Sequence, residues 1–245
     1  MEKYSIDDSA DLSDSQKETI RNNLKQIFKN VSEAGLKSPF KQTTRILLAT
    51  KTRSPEEINF AISQGIDLIG ENRVQELLAK YDNIDKDHAE IHFIGALQTN
   101  KVKYIIDKVS MIHSLDRISL AEEIDRQAKK IGKVMDVLVE VNIGSEESKS
   151  GLQAEELLPF LEKLSVFEHL HVCGLMIIPP KLTSISTQKQ YFQKIMNLYI
   201  DISAKKIDNV NMTVLSMGMS SDYPVAVECG STLVRIGTAA FGKRI

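Results

Sequence analysis

Eight short apolar runs alternate with amphipathic segments along the chain, and this pattern predicts the fold. The apolar runs predict strands over residues 46–50, 67–70, 91–94, 111–113, 136–141, 170–175, 212–215 and 233–236. Between them, apolar residues recur at helical spacing, as at Ile118, Ala121, Ile124 and Ala128. Eight strands that are each followed by a helix are typical of a closed (β/α)8 barrel of the TIM type. An open doubly wound α/β sheet is the alternative.

A further helix is predicted before the first strand. Residues 1–14 are polar and acidic, and we expect them to be flexible. Ser15 and Glu18 form a capping-box pattern, and the apolar residues that follow predict a leading helix over 15–34. No linker rich in Gly, Ser or Pro interrupts the alternation, so we expect residues 1–245 to form a single barrel domain.

The composition excludes several classes of protein. The 245 residues are 42% hydrophobic and carry a net charge of −2, which indicates a sizeable core and no dedicated nucleic-acid or membrane surface. Cys173 and Cys229 lie far apart and form no disulfide or zinc pattern. There is no signal-peptide pattern and no apolar stretch of membrane-spanning length. We therefore expect a cytoplasmic protein, and we expect it to be a monomer.

The first predicted strand ends in a lysine. Residues 46–50 carry no charge and Lys51 closes the run, after which Ser54 and Pro55 begin a helix as N-cap and first helical residue. The carboxyl ends of the strands carry the chemistry of α/β barrels. Lys51 is therefore either a nucleophile or a lysine whose side chain extends from the strand end into water.

The loops after the last two strands suit an anion. The segment after strand seven supplies small residues and a hydroxyl, including Met219 and Ser220. Gly237 and Thr238 follow strand eight and start the last helix. Barrels often bind phosphate at these two loops, where backbone N–H groups can approach it. Each loop taken alone is better interpreted as an ordinary Gly/Ser turn, and only the two loops together make a phosphate site an equal alternative.

Arg235 interrupts the apolar eighth strand, so its side chain must face the barrel interior or the rim. A buried arginine is costly without a partner, which indicates either a donor directed at a ligand or an edge salt bridge. A lysine, a phosphate site and a fixed cation at one rim suit a phosphorylated aldehyde held as a Schiff base. Pyridoxal 5'-phosphate (PLP) is the commonest such ligand. A lysine-dependent aldolase would have the same parts.

Other candidate residues are weaker. His169 and His171 lie two apart and could form a metal pair, although histidines that only pack are commoner. His92 precedes the end of strand three and could point to the rim. Glu71 and Asp222 could act as acid–base groups, but caps and salt bridges are the commoner roles of such carboxylates.

Several motifs resemble one known family, in family order from about residue 46 onward. They are Thr50-Lys51-Thr52, Gly70-Glu71-Asn72, Val74-Gln75-Glu76, His92-Phe93-Ile94-Gly95, Leu97-Gln98, Asn100-Lys101, Lys149-Ser150-Gly151, Gly174-Leu175-Met176, Leu215-Ser216-Met217-Gly218-Met219-Ser220 and Val234-Arg235-Ile236-Gly237. The sequence thereby resembles the pyridoxal phosphate homeostasis protein family, which includes the bacterial YggS and eukaryotic PROSC proteins.

The resemblance implies a barrel of PLP fold type III, like the N-terminal domain of alanine racemase. It implies a PLP site formed by Lys51, Asn72, Met219, Ser220, Arg235, Gly237 and Thr238. Lys51 would hold PLP as a Schiff base, the two last loops would hold its phosphate, and Arg235 would lie near the pyridine nitrogen.

Two functions are compatible with this resemblance. One is intracellular PLP homeostasis, in which the protein holds PLP and supplies it to apo PLP-dependent enzymes without turnover. The other is weak amino-acid racemisation of the alanine racemase type. Racemase barrels work with a second, β-rich domain, and the sequence ends after the last predicted barrel helix, so we expect the first function.

Overall fold

A closed barrel of eight parallel strands forms the centre of the molecule, in the order β1 to β8. The computed structural model describes residues 12–143, 150–180 and 184–242. The strands are β1 Arg45–Ala49, β2 Leu68–Glu71, β3 Glu90–Phe93, β4 Met111–Leu115, β5 Met135–Val141, β6 Leu170–Ile177, β7 Val210–Met219 and β8 Leu233–Ile236. The predicted TIM barrel is confirmed, since β1 pairs with both β2 and β8 and closes the sheet.

Helices surround the barrel in sequence order. They are α1 Asp14–Lys37, α2 Pro55–Ser63, α3 Val74–Lys80, α4 Ile118–Lys130, α5 Ala154–Leu164, α6 Ile185–Ser203, α7 Tyr223–Glu228 and α8 Thr238–Phe241, with two 3-10 helices at Tyr81–Asn83 and Thr99–Tyr104. The prediction of an α-helix after every strand is therefore wrong after β3, where the 3-10 helix Thr99–Tyr104 takes that place.

The leading helix α1 covers the part of the barrel where the outer layer is thin. Helix α8 has only four residues, and α1 packs against α7, α8 and α2. Ile20, Leu24 and Ile27 are buried in this contact. The predicted helix is confirmed, but its capping box is formed by Ser13 and Gln16 rather than by Ser15 and Glu18.

Strand β7 is longer than predicted. Residues 216–219 have the composition of a loop, yet Ser216 pairs with Leu233 and Met219 pairs with Arg235 across a register shift. Gly218 lies in the shifted segment with a φ of 95°, and a Cβ there would lie 2.6 Å from the Cβ of Ala226. A glycine is required at this bulge, because other residues rarely adopt positive φ and no side chain fits.

Candidate functional site

A cavity of about 710 Å³ opens at the carboxyl ends of the strands. Its size lies within the range of small-molecule sites. All seven site residues predicted from the sequence line it, together with Arg53, Ser221 and four apolar residues. The predicted residues are Lys51, Asn72, Met219, Ser220, Arg235, Gly237 and Thr238. Barrel closure brings them together, because β1 and β8 are neighbours although nearly 200 residues of sequence separate them.

Lys51 lies in a tight turn directly after β1, and its side chain is exposed in the cavity wall. The next residue, Thr52, has a φ of 62°, which is unusual for a β-branched residue. The N–H of Thr52 donates a hydrogen bond to Oε2 of Glu76 at 2.8 Å, and Glu76 is buried on α3. The turn that presents Lys51 is thus a strained backbone held by a carboxylate from a neighbouring helix.

A buried ion pair lies beneath the same turn. Nζ of Lys80 lies 2.6 Å from Oε1 of Glu71, and both side chains are almost fully buried. Lys80 also donates to the carbonyl oxygens of Thr50 at 2.8 Å and Arg53 at 3.3 Å, while the hydroxyl of Thr50 donates to Glu71. Burial raises the pKa of Glu71 above its ordinary value, and the Lys80 ammonium opposes that shift. Lys80 and Glu71 therefore connect both ends of the Lys51 turn to β2 and α3.

One end of the cavity is lined by the segments that follow β7 and β8. Oγ of Ser220 accepts hydrogen bonds from the N–H groups of Gly237 and Ala239, each at 3.2 Å. Asp222 stabilises the loop after β7, because its carboxylate accepts a hydrogen bond from the N–H of Met219 at 2.6 Å. Burial raises the pKa of Asp222. The structure thus assigns Asp222 to holding the loop that carries Ser220.

Arg235 lies inside the barrel and extends to the cavity wall, as predicted. Its Nη1 donates to the carbonyl and hydroxyl oxygens of Ser216 at 2.8 and 2.6 Å, and Nη2 donates to the carbonyl of Ile177 at 2.8 Å. Burial lowers its pKa to about 10, although the charges of Glu140 and Asp222 oppose the shift. The guanidinium therefore stays charged at neutral pH and is fixed by bonds to two strands rather than by an edge salt bridge.

Asn72 supplies an unsatisfied polar atom. Its Oδ1 is buried and has no hydrogen-bond partner among the described residues. A buried acceptor without a partner is costly, so such an atom in a cavity wall is typical of a ligand contact. Gly95 lets the segment after β3 approach Asn72, because a Cβ at that position would lie 2.1 Å from the Asn72 carbonyl oxygen.

Two of the weaker predictions differ from the structure. His92 does not line the cavity; its Nδ1 lies 2.9 Å from Nε2 of His113 inside the barrel, and its Nε2 lies 3.5 Å from Glu90. His92 and Ile94 lie on the same face of the strand, but Ile94 is two residues nearer its carboxyl end, so Ile94 reaches the cavity wall and His92 lies below it.

The predicted histidine pair is divided between two carboxylates. His169 lies near Asp125 and His171 bonds to Asp136, so they share no common partner. Lys149 of the Lys149-Ser150-Gly151 motif lies outside the described residues.

Arg53 and Lys80 were missed by the sequence interpretation. Arg53 lines the cavity, bonds to Glu57 and lies 5.2 Å from the ring centroid of Phe241. Lys80 occupies the last turn of α3, where a lysine is ordinary in any helix, so the sequence carries no signal that it is buried.

The closed barrel and the lysine at the end of β1 define the class of protein. It is the class of the alanine racemase N-terminal domain, whose family model matches residues 19–244. The alanine racemase of Clostridium difficile 630 superposes with a TM-score of 0.69 at 18% identity, over 93% of this chain and 57% of that one. At that identity the likeness shows a shared fold alone.

Relatives within this class are more similar. A pyridoxal phosphate homeostasis protein of Aquifex aeolicus is 47% identical over 200 residues, which are 82% of this chain and 87% of the relative. PipY of Synechococcus elongatus PCC7942, solved with PLP bound, has a TM-score of 0.79 at 28% identity over 91% of this chain and 100% of that one. The chain belongs to the pyridoxal phosphate homeostasis protein family. Within the described ranges, we find no helix with both the length and the apolar character needed to cross a membrane.

Proposed function

We propose that this protein holds PLP covalently on Lys51 and supplies it to apo PLP-dependent enzymes. The observation that carries the proposal is the cavity at the strand ends. One cavity wall contains Lys51, the buried guanidinium of Arg235 and the loops after β7 and β8. The names of the homeostasis relatives and the PLP-bound PipY structure support the same ligand.

The residues of the cavity fit the chemical groups of PLP. The N–H groups of Gly237 and Ala239 donate to Oγ of Ser220, which leaves the hydroxyl hydrogen of Ser220 as a donor that suits a phosphate dianion. The unpaired Oδ1 of Asn72 suits a hydroxyl or another donor on the ring. Lys51 reaches the same space from the end of β1, the neighbour of β8, which suits an aldehyde on the ring carbon next to the one that carries the phosphate arm.

Each residue then has a defined task. When bound, PLP supplies an electrophilic aldehyde and a ring that withdraws electrons. Lys51 would hold PLP through a bond between its amine nitrogen and the aldehyde carbon, with release of one water and no need for an oxidant or reductant. Arg235 offers donors only, so it cannot accept a proton from a ring nitrogen, and its charge disfavours a second cation beside it.

A carrier role agrees with the lining of the cavity better than racemisation does. Racemisation needs a proton-transfer group on each face of the substrate carbon. Among the described residues that line the cavity, Lys51 is the one side chain with an amine, a group of the general-base type; the others are amide, hydroxyl, guanidinium or apolar groups. Racemisation remains the second candidate function because the matching family model is that of an alanine racemase domain.

Borohydride trapping tests the covalent site. The protein is mixed with PLP, reduced with borohydride and digested, and the modified peptide is identified by mass spectrometry. We expect the adduct on Lys51, its loss in Lys51→Ala and its retention in Lys25→Ala, a matched exposed lysine on α1. Trapping at the wild-type level in Lys51→Ala would show that another lysine holds PLP.

A further inference from the structure

A second group of chemically active side chains lies at the opposite end of the barrel. Asp136 is the second residue of β5 and His171 the second residue of β6, and the two are register partners across these neighbouring strands. Cys173 follows two residues later on β6. Leu138 and Met176 pack in the barrel interior with Cys173, toward the carboxyl ends of the same strands. The cavity that contains Lys51 includes none of the three polar residues.

The three side chains converge closely. Nδ1 of His171 lies 2.9 Å from Oδ1 of Asp136 and 3.4 Å from Sγ of Cys173. One ligand atom from each residue lies within 4.8 Å of the others. Zinc bonds of about 2.0 to 2.3 Å in tetrahedral geometry place ligand atoms about 3.3 to 3.6 Å apart. The two separations from Nδ1 of His171, 2.9 and 3.4 Å, lie within about 0.5 Å of these values.

The donor set also selects a type of ion. A thiolate, an imidazole and one carboxylate are ligands of zinc-like transition metals, whereas Mg²⁺ and Ca²⁺ prefer all-oxygen sites. The carboxylate and the thiolate together carry two negative charges, which a divalent ion would neutralise. We propose that Asp136, His171 and Cys173 form a binding site for a divalent transition-metal cation of the zinc type.

The position of the group allows an ion to enter. The side chains of His171 and Asp136 are 37% and 45% exposed, while Cys173 is buried beneath them. An ion can therefore reach the imidazole and the carboxylate from solvent and contact the thiol at the base. Three protein ligands leave a fourth position for water.

Coordination requires that the thiol of Cys173 lose its proton to solvent. Burial and the Asp136 carboxylate raise the pKa of Cys173 to about 12, so the metal-free thiol stays protonated at neutral pH. A thiolate-to-cobalt absorption band arises only when sulfur is bonded to the metal, so it would report coordination by Cys173 directly.

Cobalt substitution tests the site in the intact chain. Co²⁺ is added to chelator-treated, reduced protein, and difference spectra against the cobalt-free sample remove the absorption of any bound PLP. Equilibrium dialysis with Zn²⁺ gives the stoichiometry. We expect one ion per chain and a thiolate-to-cobalt band that disappears in Cys173→Ser. The band should persist in Cys229→Ser, since Cys229 is a buried free cysteine beside α7.

Two further variants keep the proposal falsifiable if Cys173→Ser does not fold. Asp136→Asn and His171→Asn change partly exposed side chains, and each should weaken Co²⁺ binding at least tenfold. His88→Asn, at an exposed histidine that also bonds to an aspartate, should not. Cobalt binding without a thiolate band, a band that survives in Cys173→Ser, or equal loss in His88→Asn would overturn the proposal.

Discussion

The ammonium of Lys80 lies 2.6 Å from the carboxylate of Glu71, and this buried pair supports the turn that presents Lys51. The pair touches the backbone on both sides of Lys51, at Thr50 and Arg53. A buried pair of this kind contributes little net stability, because desolvation offsets the attraction of the charges. Its role here is to fix the turn.

Loss of one partner of this pair should be costly. Lys80→Met leaves the Glu71 carboxylate buried without a counter-charge, which should lower the free energy of unfolding by about 3–5 kcal/mol. Urea unfolding measures the change. The exposed pair of Lys29 and Glu33 on α1 provides the control, and Lys29→Met should cost less than about 1 kcal/mol.

The double variant distinguishes charge from packing. Lys80→Met combined with Glu71→Gln removes both charges, so it should be more stable than Lys80→Met alone. A double variant as unstable as the sum of both single changes would mean that packing, and not the unpaired charge, causes the loss.

Ser220 should control affinity for the phosphate of PLP. Its oxygen accepts two backbone N–H groups, so we expect its hydroxyl hydrogen to donate to the phosphate, and Ser220→Ala removes that donor. Loss of one hydrogen bond to a charged group should weaken PLP binding by roughly 1.5–3 kcal/mol. Absorbance titration measures this loss of affinity, with Ser203→Ala on α6 as the control.

Pyridoxal, which lacks the phosphate, tests the same assignment in the wild-type protein. It should bind far more weakly than PLP, and equal affinity for both ligands would refute the phosphate assignment.

The features that the sequence predicted well depend on local patterns. Lys51 closes an apolar run, and Gly237 and Thr238 directly follow another, so their place at the rim follows from the barrel geometry. The burial of Lys80 depends instead on how α3 packs under β1, and the bulge near Gly218 depends on pairing with β8. Asp136 and Cys173 are separated in sequence and meet only through strand register. Contacts between residues that are distant in sequence produce no local sequence pattern from which they could be predicted.

Acid should destabilise the barrel through His113. This imidazole is fully buried, and burial together with the nearby His92 and Arg235 holds its pKa well below 6.5. Below pH 6.5 the unfolded chain binds a proton that the folded chain does not bind. The free energy of unfolding should therefore fall as the pH drops, by up to about 1.4 kcal/mol per pH unit from this residue.

His113→Gln should reduce this acid sensitivity. The glutamine side chain is neutral and can still form a hydrogen bond to His92. Urea unfolding at pH 7, 6 and 5 should therefore show that the free energy of unfolding falls less steeply with pH than in the wild type. His88 gives a control of opposite sign, because Asp85 raises the pKa of this exposed histidine. His88→Gln should not reduce the acid loss. An unchanged slope in His113→Gln would assign the acid sensitivity to other groups.

Carrier function and racemisation make opposite predictions for hydrogen exchange at the amino-acid Cα. The cavity wall, as far as the structure describes it, offers the amine of Lys51 as its one side chain of the general-base type, and in the proposed site Arg235 would disfavour protonation of the ring nitrogen. Loss of a general base typically costs about 10²–10⁴-fold in rate. The PLP-loaded protein is incubated with L-alanine in deuterated water. The Cα hydrogen of the alanine should exchange little faster than in a control that contains free PLP and the Lys51→Ala variant. The PLP-loaded protein is also mixed with an apo PLP-dependent enzyme, and it should restore the activity of that enzyme. The control for this assay is the Lys51→Ala variant, treated with PLP and then freed of unbound ligand, which should restore the activity more slowly. Cα exchange at rates typical of enzymes, at about 1 s⁻¹ or above, would favour the racemase function over the carrier.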